Sequence, residues 1–255
     1  MSETHSIVHL DVHDGAATIT LDSPENRNAL SAQLVGELSA HLTTAASDPT
    51  ARFVVLTHTS NTFCAGADLA ESAREGGPAE GTARLVALLR QIVEHPKPVV
   101  ARVDGHVRAG GLGLLAACAI AVVGRSSSFA FTEARIGVAP AIISLTVLPR
   151  IGDRAASLTF LTGDRFDAGE AARIGLVTRA VDDPSDAIAE LAESFRACSP
   201  QGLTETKRLT TRHLLDAFDR DAHDLAALSG RLFASDEAQE GIASFLARRP
   251  PRWAG

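Results

Sequence analysis

The pattern of hydrophobic and polar positions along this chain starts with two short segments in which apolar and polar residues alternate. Residues 7–13 and 17–21 alternate between apolar and polar side chains, and Asp14-Gly15 between them is a typical turn pair. We therefore predict two short paired strands at the start. Continuous apolar runs, which favour buried strands, follow at residues 53–57, 99–103, 119–123, 128–131 and 176–181.

Helical periodicity separates these runs. Ser31 is placed as an N-cap, and Leu34, Leu38 and Leu42 fall on one side of a helix that ends near Ser47. Residues 71–81 are rich in glycine and charge and are predicted to be mobile. Further helices are predicted over residues 81–94, 110–119, 153–162, 167–173, 186–197, 202–218, 223–233 and 237–248.

Strands alternate with helices through the first two thirds of the chain, and only helices follow. This order predicts an α/β fold with a helical C-terminal portion. We place the boundary near residue 190, so that residues 1–190 form the core and residues 191–255 the helical region.

Composition narrows the possible functions. The 255 residues are 45% hydrophobic and 22% charged, which is ordinary for a globular protein. A net charge of −7, no tyrosine and one tryptophan argue against a nucleic-acid partner. The three cysteines are widely spaced and predict neither a disulfide framework nor a metal site.

The longest apolar run, Leu112–Val123, is too short to span a bilayer, and residues 1–5 do not read as a signal peptide. We therefore expect a cytoplasmic protein without a membrane partner.

Candidate chemistry lies between residues 101 and 133. Gly110 and Gly111 begin a predicted helix, where backbone N–H groups have no intrahelical partner and can hold an oxygen that becomes anionic. Glu133 follows the apolar run Phe129–Thr132, so its carboxylate is expected in apolar surroundings. An oxyanion donor and a nearby carboxylate indicate enolate chemistry.

Six motifs in register then resemble one family, the crotonase superfamily of enoyl-CoA hydratases and isomerases. They cover nearly the whole chain and comprise Pro24–Leu30, Phe63–Leu69, Val103–Gly111, Phe129–Pro140, Thr162–Val177 and Gly241–Pro250. The resemblance implies a spiral of ββα units, a C-terminal region for oligomerisation and pocket closure, and a homotrimer or a dimer of trimers. It also implies an acyl-CoA thioester substrate in fatty acid metabolism, with coenzyme A as part of the substrate and no separate cofactor.

The same resemblance assigns site residues. The two oxyanion donors correspond to the backbone N–H groups of Ala67 and Gly110, and the catalytic carboxylate corresponds to Glu133. Small residues, including Gly111, would let the thioester approach. The coenzyme A site would be lined by Arg27, Ala29, Ala65, Asp68 and Leu69. Lys207 or Arg208 could reach a phosphate, although a solvated helix face is the simpler interpretation.

One departure from the family limits the mechanism. Hydratases of this family typically use two glutamates, and the position of the first is Gly113 here, which cannot act as a base. Gly113 together with Pro140–Ser144 resembles a single-glutamate subgroup containing methylglutaconyl-CoA hydratases. Those substrates carry a second carboxylate, which Arg108 could bind, although pairing of Arg108 with a protein carboxylate such as Glu133 is the slightly simpler interpretation.

The sequence is compatible with three functions. We expect a hydratase-type enzyme that adds or removes water with Glu133 alone, because of the subgroup resemblance. Double-bond isomerisation, for which one carboxylate is sufficient, is the alternative. A non-catalytic acyl-CoA-binding protein on the same scaffold is the third.

Overall fold

The computed structural model describes residues 5–74 and 79–255, which fold as two sheets surrounded by helices. This confirms the predicted α/β class and the helical C-terminal region. The predicted mobile segment 71–81 lies partly outside the described residues, as do residues 1–4.

The larger sheet has the strand order β1-β2-β3-β5-β7-β10. β1 and β2 form an antiparallel pair, and the remaining neighbours are parallel. Strands β3, β5 and β7 read as apolar runs because both faces of a central parallel sheet are covered. The bounds are β1 Val8–His13, β2 Ala16–Leu21, β3 Phe53–His58, β5 Val99–Val103, β7 Ile120–Gly124 and β10 Arg179–Val181.

The smaller sheet has the order β4-β6-β8-β9, and β4, β6 and β8 run parallel to one another. Its strands are β4 Thr62–Cys64, β6 His106–Arg108, β8 Ser128–Ala130 and β9 Phe166–Asp167. Of these, the hydrophobic pattern predicts only β8, which lies in the apolar run 128–131, whereas β4, β6 and β9 are two or three residues long and stand outside such runs.

The helices cover both sheets. They are α1 Ala32–Ser47, α2 Leu69–Arg74, α3 Ala79–Glu94, α4 Gly110–Ala117, α5 Ala141–Val147, α6 Asp153–Thr162, α7 Ala168–Arg173, α8 Pro184–Ala197, α9 Pro200–Phe233 and α10 Asp236–Leu246. Helix α1 illustrates the agreement with the sequence, since the Ser31 hydroxyl accepts from Leu34 N–H at 3.2 Å and Leu34, Leu38 and Leu42 are fully buried.

Two predicted helices, 202–218 and 223–233, form the single 34-residue helix α9. The prediction of a break is wrong because the intervening residues contain no glycine or proline, and α9 packs against both α3 and α5. No helix in residues 5–74 or 79–255 is long and apolar enough to cross a membrane.

Candidate active site

Three parallel strands of the smaller sheet carry the candidate site at one edge. The loop containing Ala67 follows β4, Gly110 follows β6, and Glu133 follows β8. Because these strands are parallel neighbours, their carboxyl ends lie together, which is where ligands bind in open α/β sheets. The topology thereby brings together three residues that lie up to 66 positions apart in the chain.

The loops of Ala67 and Gly110 touch directly. Gly66 has a φ of +96°, and a Cβ placed on it would lie 2.8 Å from Cβ of Ala109 and 3.3 Å from the Gly110 nitrogen. Glycine is therefore required at position 66 for both conformation and space. Within the described residues, neither Ala67 N–H nor Gly110 N–H donates to a backbone acceptor, so both are available to a ligand oxygen.

Ala109 stands directly before the second donor in a rare conformation. Its φ is 45° and its ψ is −120°, a region that an alanine seldom occupies. Its N–H donates to Ala130 O at 3.1 Å, which ties the loop to β8. Such strain is typical of functional loops, and here it lies at the N-cap of α4.

Glu133 lies in a short 3-10 turn, Glu133–Ile136, and is only 9% exposed. Its Oε2 is buried and has no hydrogen-bond partner among the described residues. Burial raises the pKa of Glu133 to about 7, because removal from water disfavours the charged form; its own backbone N–H opposes the shift. Such a carboxyl group can both accept and release a proton near neutral pH.

The position expected to carry a first glutamate is covered by an isoleucine. A Cβ placed on Gly113 would lie 2.5 Å from Cγ2 of Ile143 and 3.4 Å from Cδ1 of Leu89. Ile143 lines the same cavity as Glu133, whereas Gly113 does not reach it. At this point the wall of the site is therefore hydrocarbon.

A cavity of about 630 Å³ joins these elements, a size suited to a small-molecule ligand. The predicted residues that line it are Arg27, Ala29, Ala65, Ala67, Asp68, Leu69, Arg108, Gly110 and Glu133. Gly111 does not line it, because the residue packs against Cys64, where an added Cβ would lie 2.7 Å from both Cβ and the carbonyl oxygen. Gly111 therefore has a packing role against Cys64, and its predicted place in the substrate site stays a prediction.

Residues 11–255 match the family model for enoyl-CoA hydratase/isomerase. This chain belongs to the enoyl-CoA hydratase/isomerase family. A crystal structure of an enoyl-CoA hydratase from Mycobacterium avium is similar, with 52% identity, a TM-score of 0.91 and coverage of 98% of this chain and 100% of that one.

Two further relatives show the range of named activities within the family. A Rhodobacter capsulatus protein named a probable enoyl-CoA hydratase is 32% identical over 272 residues, covering 99% of each chain. The Escherichia coli K12 protein named 1,2-epoxyphenylacetyl-CoA isomerase is 29% identical over 256 residues, covering 96% of this chain and 97% of that one. The comparisons therefore support the family without selecting one reaction.

In this member of the family, hydrogen bonds hold the loop before α1 against the Ala67 loop. Buried Asn28 accepts from Ser23 N–H at 2.7 Å and donates to Thr62 O at 2.8 Å. Ala65 N–H donates to Arg27 O at 3.1 Å. The carboxylate of Asp68 caps α2 by accepting from Glu71 N–H at 2.9 Å, so it supports the cavity wall from within.

Arg108 forms no ion pair with a carboxylate of the described chain. Its guanidinium donates to the backbone oxygen of Ser128 at 2.5 Å and to the Ser128 hydroxyl at 2.8 Å, and no carboxylate of the described chain pairs with it. His106 is exposed and contacts the same hydroxyl at 3.0 Å. Pairing of Arg108 with Glu133 is therefore excluded, and binding of a substrate carboxylate by Arg108 stays a prediction.

Lys207 does not face solvent or a phosphate site. It is 5% exposed, and its Nζ donates to the carbonyl oxygens of Val93 at 2.6 Å and His95 at 2.7 Å. The ammonium thus caps the C-terminus of α3. Arg208 is exposed and pairs with Glu205. The phosphate contact considered for Lys207 is therefore corrected, since a lysine on an amphipathic helix looks solvated until its tertiary neighbours are known, and that of Arg208 stays a prediction.

Sequence reasoning did not name the residues of one cavity wall, although the family resemblance implies that the C-terminal region closes the pocket. Helix α10 and the tail after it contribute Gly241, Ser244, Phe245, Leu246, Arg249 and Pro251. The segment Gly241–Pro250 carries part of the family resemblance, yet nothing in its periodicity indicates that it folds back over Glu133.

Proposed function

We propose that the protein moves a proton on an acyl-CoA thioester with Glu133 as its single carboxylate, and that the reaction is migration of a carbon–carbon double bond. One observation carries this proposal. Glu133 is buried in the cavity with an unpartnered oxygen, and the position of a second carboxylate is Gly113 covered by Ile143.

The backbone N–H groups of Ala67 and Gly110 would bind the thioester. Its carbonyl oxygen would accept from Ala67 N–H and Gly110 N–H, whose loops are in contact at Gly66. Negative charge grows on that oxygen when the neighbouring carbon loses a proton. Fixed donors in a site with little water stabilise this charge strongly, and loss of one such donor in other enzymes costs about 3 kcal/mol.

Glu133 then acts twice. Its carboxylate removes a proton from the α-carbon of a 3-enoyl-CoA, and the electron pair spreads into a dienolate whose oxygen is held by the two donors. The protonated Glu133 returns the proton at the γ-carbon, which yields the 2-enoyl-CoA. A pKa near 7 suits both steps, because the group is neither fully ionised nor fully protonated at neutral pH.

Hydration is the second candidate. It is the reaction first expected from the sequence, and the Rhodobacter and Mycobacterium avium relatives bear hydratase names. Water addition requires a group that orients water at the β-carbon. Ile143 covers the position of residue 113 with hydrocarbon, so Glu133 would have to do both tasks. Geometry therefore favours the isomerase.

Product analysis separates these candidates. Purified protein is incubated with 3-hexenoyl-CoA and, separately, with 2-hexenoyl-CoA, and products are identified by mass spectrometry. We expect 2-hexenoyl-CoA from the first substrate and little 3-hydroxyhexanoyl-CoA from either, with turnover lost in Glu133→Gln. Rapid formation of 3-hydroxyhexanoyl-CoA would instead support hydration, and tight binding without turnover would support the non-catalytic alternative.

We also propose that the protein forms a homotrimer or a dimer of trimers through its helical regions. Large apolar side chains are exposed on α6 and α9, namely Leu158, Leu161 and Leu209. Exposed apolar side chains of this size are typical of interaction surfaces. Light scattering coupled to size-exclusion chromatography tests this proposal, and a mass of one subunit across the accessible concentration range would contradict it.

A further inference from the structure

Helix α10 meets the turn that carries Glu133 without intervening side chains. A Cβ placed on Gly241 would lie 2.4 Å from the carbonyl oxygen of Ile136. A Cβ placed on Gly137, directly after the turn, would lie 2.7 Å from the carbonyl carbon of Glu237. Two glycines, one on each partner, therefore allow backbone-to-backbone contact.

Helix propensity alone does not explain a glycine at position 241. It lies inside α10, Asp236–Leu246, where glycine is less favourable than every residue but proline. A glycine at such a position usually has a packing reason. Here the reason is visible, because the obstructing atoms belong to the backbone of residue 136 and cannot rotate away as the end of a side chain could.

The tail after α10 is tied to the same helix by Glu240. Its carboxylate accepts from both terminal nitrogens of Arg249, at 2.8 and 3.0 Å, and from the Arg252 N–H at 3.1 Å. The Ser244 hydroxyl donates to it at 3.0 Å. Arg249 and Pro251 line the cavity, so α10 and the tail form one unit over the site.

We propose that Gly241 and Gly137 are positioning residues that seat α10 on the Glu133–Ile136 turn and thereby keep water from the Glu133 carboxylate. Glu240 supports the same arrangement by holding the tail. The role of this seating in catalysis rests on the proposed function of Glu133. The seating itself is a matter of burial and can be measured without a substrate.

Burial is the physical link between the helix and the carboxylate. The pKa of Glu133 is raised by removal from water, and no ion pair within the described chain contributes to it. Two helices, α6 and α10, pack against the turn, and none of the ionisable groups on these elements pairs with Glu133. These groups are Arg135 on the turn itself, Asp153 and Arg154 on α6, and Asp236, Glu237 and Glu240 on α10. Displacing α10 would therefore change the titration of Glu133 chiefly by admitting water.

The experiment compares Gly241→Ala with Gly36→Ala. Gly36 lies in helix α1 with open space around its added Cβ, so this control makes the same substitution in a helix without a steric conflict. In each background, denaturant unfolding is measured between pH 4 and pH 9 with and without Glu133→Gln. The pH dependence of the difference between the paired proteins reports the midpoint at which Glu133 titrates.

We expect the midpoint near 7 in the control and at least one pH unit lower in the Gly241→Ala background. An unchanged midpoint in a folded Gly241→Ala protein would overturn the proposal. If that variant does not fold, Glu240→Gln takes its place, with a smaller downward shift expected and an unchanged midpoint again contradictory. Because no substrate is used, failure of the isomerase assay leaves this result independent.

Discussion

The Cγ2 atom of Ile143 lies 2.5 Å from the point where a Cβ on Gly113 would stand. Ile143 is 2% exposed and cannot swing into solvent, so glycine at one position and isoleucine at the other fit together as a pair. A side chain at 113 therefore requires Ile143 to move. The packing of α4 against α5 therefore depends on glycine, and not glutamate, at position 113.

This pair predicts non-additive substitutions. Gly113→Ala alone should destabilise the fold by about 1–3 kcal/mol, because overfilling a packed core forces neighbours to shift. In combination with Ile143→Ala the same change should cost much less, since Cγ2 is then absent. Denaturant unfolding of the two single variants and the double variant measures this coupling.

Gly36→Ala is the matched control for this series, because an added Cβ there meets nothing within 4 Å. It should be neutral or stabilise slightly. If the free-energy changes of Gly113→Ala and Ile143→Ala simply add, the two side-chain positions do not share one space and the interpretation of the pair is wrong.

Glu133→Gln should abolish activity and should raise the free energy of unfolding, relative to the native protein, more at high pH than at low pH. The folded-state pKa of Glu133 is about 7 against an ordinary value of 4.5, so the folded protein binds more protons than the unfolded chain between these values. The unfolding free energy of the native protein therefore falls as pH rises from 4.5 to 7, by up to about 3 kcal/mol in total. Glutamine does not titrate, so the unfolding free energy of Glu133→Gln lacks this decrease.

Urea unfolding of both proteins at pH 5 and pH 8 provides the measurement. The stability of Glu133→Gln relative to the native protein should be greater at pH 8 than at pH 5. A difference that is the same at both pH values would mean that Glu133 titrates as it does in water, and would contradict the burial described for it.

Lys207→Met should lower stability without weakening coenzyme A binding. The substitution keeps much of the side-chain volume but leaves the carbonyl oxygens at the end of α3 without their buried donor, at a cost of about 1–3 kcal/mol. Arg208→Met, on the exposed face beside it, should change stability by less than about 0.5 kcal/mol.

Calorimetric titration with an acyl-CoA and thermal unfolding together check both variants. Affinity should stay within about twofold of the native value in each, because neither side chain reaches the cavity lining. A large loss of affinity in Lys207→Met alone would restore the phosphate contact that the structure argues against.

Much of the architecture follows from local pattern. The Ser31 cap, the buried leucines of α1 and the bounds of β5 (Val99–Val103) and α6 (Asp153–Thr162) can all be predicted, because capping and hydrophobic period act over a few residues. Strands β4 and β6 cannot, since three residues carry no period. Their pairing in one parallel sheet is what brings Ala67, Gly110 and Glu133 to one edge.

The rest of the site depends on tertiary neighbours. Burial of Lys207 is set by the end of α3, more than a hundred residues earlier in the chain. The fit of Ile143 against Gly113 and the seating of Gly241 on Ile136 are equally non-local. In each case the residue type is visible in the sequence but its contact is not, and its role can be assigned only from the structure.

Exchange of substrate hydrogen with solvent tests the central claim, proton transfer by Glu133 alone. The protein is incubated with 3-hexenoyl-CoA in D₂O, and the acyl group is analysed by mass spectrometry for deuterium and by a parallel incubation in H₂¹⁸O for oxygen uptake. We predict 2-hexenoyl-CoA with less than one deuterium per double-bond migration, because Glu133 largely returns the proton that it removed, together with no ¹⁸O incorporation and a fall of at least a hundredfold in the rate with Glu133→Gln. Exchange that proceeds equally well in Glu133→Gln, or ¹⁸O uptake as fast as double-bond migration, would contradict the single-carboxylate account.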